Sequence, residues 1–234
     1  MDHAPLLIRH VTGSASQVSG YVAACHALDA VDIAAEYRDR VASAPTRSSP
    51  YIVDHNISNR SEVSSRREEL LAHRMFELGT TLGLPGWEPT RIVDFQVPLN
   101  AKRSDGLEKV DLLGVGEGLC VIELKVDGSG PDTPLNALLE GVGYAAVVEA
   151  NVTRIVGEVQ ARGHGVDVAQ GSVLVLGPED YWARWDRTRI PVDWRGALRV
   201  AGTTVSSATG LRIGFGSFDA GQVGPSMLVN DVLD

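Results

Sequence analysis

Lys109-Val-Asp-Leu-Leu-Gly-Val-Gly-Glu-Gly-Leu-Cys-Val-Ile-Glu-Leu-Lys-Val126 is two strand-like apolar runs joined by Gly116-Glu117-Gly118. A three-residue connection containing glycine is one way to close a β-hairpin. Pairing Val115 with Leu119 then sets Asp111 opposite Glu123. Residues directly opposed on antiparallel strands have Cβ atoms about 5 Å apart, and like charges placed so repel unless a cation lies between them. Side chains on a strand alternate between its faces, so Glu123 and Lys125 share one face and Leu124 takes the other. Burying such groups among Val, Ile, Leu and Cys costs several kcal/mol unless they are paired. Two carboxylates with no nearby Cys/His cluster favour Mg²⁺ or Mn²⁺ over zinc. A Glu-x-Lys at a strand end is also what a solvated edge looks like, but the apolar run Leu119 to Ile122 suits a central strand better.

Upstream, the helical text Ser61-Glu-Val-Ser-Ser-Arg-Arg-Glu-Glu-Leu-Leu-Ala-His-Arg-Met-Phe-Glu-Leu78 carries an apolar face of Leu71, Ala72, Met75 and Leu78. Glu68 falls within about 60° of that stripe on the helical wheel and points toward the core, while Glu69 lies near its margin. An acid favoured by the helix dipole is the competing explanation of Glu68. Ile92 to Val97 reads as a strand ended by Pro98, and a mostly polar loop leads from Asn100 into the hairpin. A turn cluster from Gly128 to Pro134 precedes a helix over about Leu135 to Ala150, in which Glu140 and Tyr144 share a face. Gly171 to Gly177 is a buried-type strand, and Leu198 to Val205 and Leu211 to Phe218 read as short strands. Before all this, Ser16 to Ala42 reads as one or two helices, broken by Pro45 and Pro50.

Composition sets bounds. The chain has 234 residues, 44% hydrophobic and 22% charged, which is enough for one sizeable core with appendages. Cys25 and Cys120 lie far apart and read as small hydrophobes, not as a disulfide. No stretch is long and apolar enough for a signal peptide or a membrane span, so a cytoplasmic, non-membrane protein is expected. The net charge of −9 is unlike that of most nucleic-acid binders, which neutralise phosphates with basic surface. The acids are concentrated: residues 110 to 180 hold eleven acidic and three basic residues, including the proposed metal ligands. Tyr181-Trp-Ala-Arg-Trp-Asp-Arg-Thr-Arg189 interleaves arginines with aromatics, as a surface meeting phosphates and bases does. The alternative is a strand end and solvated turn with the tryptophans in the core.

This order, an acid on a first helix, three strands with Asp in the second and Glu-x-Lys in the third, then a helix and a strand, resembles the PD-(D/E)xK nuclease superfamily. Asp111, Glu123 and Lys125 stand at the motif positions, although Val110 occupies the place of the usual proline. Glu140-Gly-Val-Gly-Tyr144 has the spacing of the Gln-x-x-x-Tyr of RecB-like relatives, with Glu in place of Gln. The resemblance covers about Ser61 to Trp185 and implies an α/β, restriction-endonuclease-like αβββαβ core, a mixed central sheet flanked by helices. Residues 1–60 would then be an N-terminal helical extension, 61–190 the core, and 191–234 a C-terminal β-rich extension of short strands.

The implied activity is Mg²⁺- or Mn²⁺-dependent hydrolysis of nucleic-acid phosphodiesters, DNA ahead of RNA, and is compatible with a homodimer. Asp111, Glu123 and the Leu124 backbone carbonyl would hold the metal, with Glu68, or Glu69 in its stead, completing the site. Lys125 would orient or deprotonate water, its pKa drawn down by burial and by the metal, while Glu140 and Tyr144 would position substrate. The rival expectation is a nuclease-like fold without catalysis, serving as a nucleic-acid- or protein-binding module. A nucleotide site at Gly114-Val-Gly-Glu-Gly118 is disfavoured because no phosphate-binding helix follows it.

Overall fold

The computed structural model describes residues 22, 25–28, 32–53, 67–100, 109–126, 133–166, 170–186 and 193–233. The expected helical start before residue 22, the loop after Asn100 and the turn at 128–131 fall outside the described residues, as do residues 61–66 of the helix read from Ser61.

Helix α1 (Ile33–Ala42) begins at Asp32, whose side chain accepts the Ala35 N–H. Helix α2 (Arg67–Glu77) precedes β1 (Thr81–Gly83), β2 (Thr90–Pro98), β3 (Lys109–Val115) and β4 (Leu119–Leu124). Then follow α3 (Pro134–Ala150), α4 (Val152–Ala161), β5 (Ser172–Pro178), α5 (Glu179–Asp186), α6 (Trp194–Thr209) and β6 (Arg212–Phe218), ending in β7 (Ser226–Leu228) and β8 (Asn230–Asp231). The molecule is thus α/β with a mixed eight-stranded sheet in the order β7-β1-β2-β3-β4-β5-β6-β8. The β1–β2, β2–β3 and β3–β4 pairs are antiparallel, as is β6–β8, whereas β4–β5, β5–β6 and β1–β7 are parallel.

The two ends of that order are one piece of chain. Only Val229 separates β7, which pairs with β1, from β8, which pairs with β6. The Val229 N–H bonds Gly83 O at 3.0 Å and the Val232 N–H bonds Phe215 O at 3.0 Å, so the sheet curls nearly into a barrel. Period-two alternation sorts the strands between two apolar layers. Val121, Val173 and Val175 face the helices, packing with Leu138, Val142 and Leu198. Ile122, Leu174 and Leu176 fill the inside of the curve with Phe95, and α2 contributes Met75 there.

One expectation is corrected. Leu198 to Val205 is not a strand but lies within α6. Trp194, Ala197, Leu198, Ala201 and Val205 form its buried stripe at helical spacing. Asp193 caps the start by accepting the Gly196 N–H at 2.7 Å, and Gly210, with φ of 77°, ends it in the left-handed conformation. Leu211 to Phe218 does form a strand, β6, and it extends the central sheet beside β5. Cys25 and Cys120 are buried free thiols. Among the described residues no helix is long and apolar enough to cross a membrane.

Candidate functional site

The hairpin closes as its sequence suggests. Val115 pairs with Leu119, Gly114 with Cys120, Leu113 with Val121 and Leu112 with Ile122. One further step along this register sets Asp111 against Glu123, at the end of β4 where the parallel part of the sheet begins. The carboxyl ends of parallel strands are where open α/β sheets generally bind ligands.

Both oxygens of Asp111 are engaged. Oδ2 accepts the Leu124 N–H at 3.0 Å, and Oδ1 accepts a bond from Gln96 Nε2 at 3.1 Å. Glu123 and Lys125 are only 4% and 5% exposed, so each needs compensation. Lys125 Nζ donates to Glu123 Oε1 at 3.0 Å and stands 3.9 Å from Glu140 Oε2. Tyr144 Oη donates to Glu140 Oε1 at 2.8 Å, so the i, i+4 pair faces the strand acids as one unit. Helix α3 can approach this closely because of Gly141: a Cβ there would stand 2.7 Å from Val173 Cγ1 and 3.9 Å from Glu123 Cβ.

The charges are out of balance. Burial pushes the Asp111 acid up to about 7; the Leu124 N–H and Lys125 oppose the rise, and Glu68 and Glu140 add to it. Glu123 is raised too, first by burial and then by Asp111, against the pull of Lys125. Glu123 Oε2 is buried without a hydrogen-bond partner. Burial and mutual repulsion both oppose ionisation of these acids, and a cation placed among them would favour it. Their donors are all oxygens, the set a hard divalent ion takes. As the side chains stand, no three His, Cys, Asp or Glu groups among the described residues are gathered closely enough to hold a metal ion.

Of the residues read from sequence, Asp111 on β3, Glu123 and Leu124 on β4, Lys125 directly after β4, and Glu140 and Tyr144 on α3 come together. Glu68 sits half-buried in the first turn of α2 and its charge reaches Asp111. Glu69, the fallback, is half-buried on the same turn. Three residues went unread, the first of them an anchor of the chain and not a member of the acid cluster. Asp94, 1% exposed on β2, accepts the N–H groups of Val53 and Phe95 at 3.0 and 2.8 Å and fastens the segment after α1 to the sheet. Its signature, an acid in Ile92-Val-Asp-Phe95, matches that of Asp111 and Glu123 and could have disclosed it. Gln96 follows from the strand register, since it lies across from Asp111. Arg40, on α1, lies in the field of Tyr144 with its pKa lowered by burial, a long-range contact with no local signal.

The aromatic-arginine stretch is a helix, α5, with Tyr181, Trp182 and Trp185 buried. Trp182 donates to Gly177 O and Gly216 O and stacks on Trp194, while Arg184 lies over Trp185 at 4.4 Å; Arg187 and Arg189 fall outside the described residues. Its tryptophans therefore serve the core. A cavity of about 230 Å³ opens at the opposite end of β4 and β5, lined by Leu119, Val121, Ala145, Val148, Leu211 and other residues. It is mainly apolar, and Glu149 at its wall is already held by Tyr37 at 2.7 Å, so the acid cluster remains the better candidate for chemistry.

Compared with protein-family models, curated proteins and solved structures, the chain gives no match.

Proposed function

We propose that this protein is a divalent-metal-dependent nuclease, hydrolysing phosphodiester bonds of nucleic acid, with DNA preferred over RNA as the substrate to test. The observation that carries the reading is the buried set Asp111, Glu123 and Lys125 on adjacent strands, with Glu68 and Glu140 acting on Asp111 from two different helices. The order of elements also supports it: helix α2, antiparallel β2, β3 and β4, helix α3, then β5 parallel to β4 follow the sequence of elements that the resemblance to PD-(D/E)xK nucleases implies.

In this reading Asp111 and Glu123 hold a Mg²⁺ or Mn²⁺ ion, with the Leu124 carbonyl and Glu68 as further oxygen donors. The ion, when bound, supplies Lewis-acid polarisation of the phosphoryl oxygen. Lys125 Nζ, released from Glu123, orients the attacking water and, in its neutral form, takes up that water's proton, while the departing oxygen is protonated from solvent; the role suits an amine desolvated at 5% exposure. Glu140 stands within reach of that amine and Tyr144 fixes Glu140, so the pair steers Lys125 and borders the substrate path.

The purified 234-residue chain incubated with single-stranded, duplex and branched DNA and with RNA, in Mg²⁺ or Mn²⁺ against chelator, tests this. Metal-dependent cleavage that Lys125→Ala reduces by a factor of about 10² or more is expected. Cleavage unchanged by Lys125→Ala refutes the catalytic assignment. Binding without cleavage supports the second reading, a non-catalytic binding module, which the closed Lys125–Glu123 pair and the net charge of −9 favour.

A further inference from the structure

Gln96 combines two features that nothing in the local sequence demands. Its φ is +49°, the only positive φ at a non-glycine position among the described residues, and it occurs inside the nine-residue strand β2. Its side-chain amide donates to Asp111 Oδ1 at 3.1 Å. A side chain other than Gly, Asn or Asp rarely adopts this conformation, and where it persists its surroundings hold it there. Phe95 belongs to the apolar layer inside the curved sheet and Val97 to the helix-facing layer, and across the ladder Leu112 and Val110 divide the same way, so both strands change layers at the level of Gln96 and Asp111. The change falls between the pairs Phe95–Leu112 and Val97–Val110.

We propose that Gln96 is a positioning residue for Asp111: the strained backbone presents a neutral amide that fixes the orientation of the carboxylate without neutralising it. The inference rests on the metal-site reading above. An ionised carboxylate has about four acceptor positions, and Gln96 and the Leu124 N–H occupy two of them, leaving the remainder for a divalent ion. A lysine or arginine in place of Gln96 would bring a competing positive charge, whereas an amide orients the ligand and leaves its charge available. Groups that orient a metal ligand from outside the coordination sphere commonly contribute tenfold to a hundredfold in metal affinity.

The test separates the bond from the strain. Gln96→Gly removes the amide but supplies the residue best suited to a positive φ, and Gln96→Asn tolerates that φ while its shorter amide falls short of Asp111. Mn²⁺ affinity of the full chain is measured by titration calorimetry, alongside the melting temperature in chelator and with Asp111→Asn as reference. The expected result is Mn²⁺ binding weakened about tenfold or more in both Gln96 variants, with the melting temperature of Gln96→Gly equal to wild type or higher. Wild-type Mn²⁺ affinity in either variant, where Asp111→Asn abolishes binding, overturns the role of Gln96 and leaves the metal site standing. Wild-type protein that shows no Asp111-dependent Mn²⁺ binding overturns the metal site itself, and the inference with it.

Discussion

Replacing Asp111 with Asn should stabilise the metal-free protein, and increasingly so as pH rises. The folded structure holds this acid at about 7 instead of its ordinary 3.8, chiefly through burial. Because the folded-state pKa is raised, the folded chain binds more protons than the unfolded one between those values, and stability falls with rising pH. The contribution is fully present below about pH 4 and is lost as pH passes 7. The whole span corresponds to about 4 kcal/mol, of which about 3 kcal/mol is lost between pH 5 and pH 8. Glu123 titrates with Asp111, so the figure belongs to the pair. Asn carries no charge to desolvate and its carbonyl can keep the Leu124 N–H, but it weakens the bond from Gln96, a cost of roughly 1 kcal/mol at every pH.

Melts of the two proteins in chelator should therefore lie close together at pH 5 and separate by roughly 6–12 °C at pH 8, given about 2–4 °C per kcal/mol for a chain of this size. Mn²⁺ at pH 8 should raise the wild-type melting temperature and leave Asp111→Asn nearly unmoved. Curves for the two proteins that stay parallel from pH 5 to pH 8 would refute the argument, because the buried carboxylate would then be titrating as if in water.

Two further outcomes are expected. Gly141→Ala should lower stability by about 1–3 kcal/mol through the 2.7 Å approach to Val173 Cγ1, and should reduce Mg²⁺-dependent cleavage by moving α3 off Glu123; unaltered melting and cleavage would show that the helix has slack. Asp94→Ala leaves the Val53 and Phe95 N–H groups without their acceptor, costing about 2–4 kcal/mol. Limited proteolysis should then cut first near residues 51–53; cleavage elsewhere at wild-type rates would argue against Asp94 as the fastener.

Neighbouring residues carried most of the site. Once Gly116 to Gly118 closes the hairpin, period-two alternation alone sets Asp111 against Glu123 and Lys125 beside them, and the i, i+4 spacing alone pairs Glu140 with Tyr144. Leu198 to Val205 misled because Val and Thr are common in strands, and the helix is decided by the caps at Asp193 and Gly210 and by a stripe that shows only over sixteen residues. Asp94 was legible by the same reasoning that found Asp111.

The chain by itself determined the hairpin register, the acid-rich strand ends and the helical faces, because hydrogen-bond ladders and side-chain periodicity operate over a few residues. Tertiary structure alone decided the rest. Gly141 lets Glu140 within 3.9 Å of the Lys125 amine, Gln96 is held at a φ its own neighbours do not favour, and the segment 226–231 joins two sheet edges that lie far apart in sequence. Each of these depends on contacts between distant residues, whose energies appear only when the layers pack.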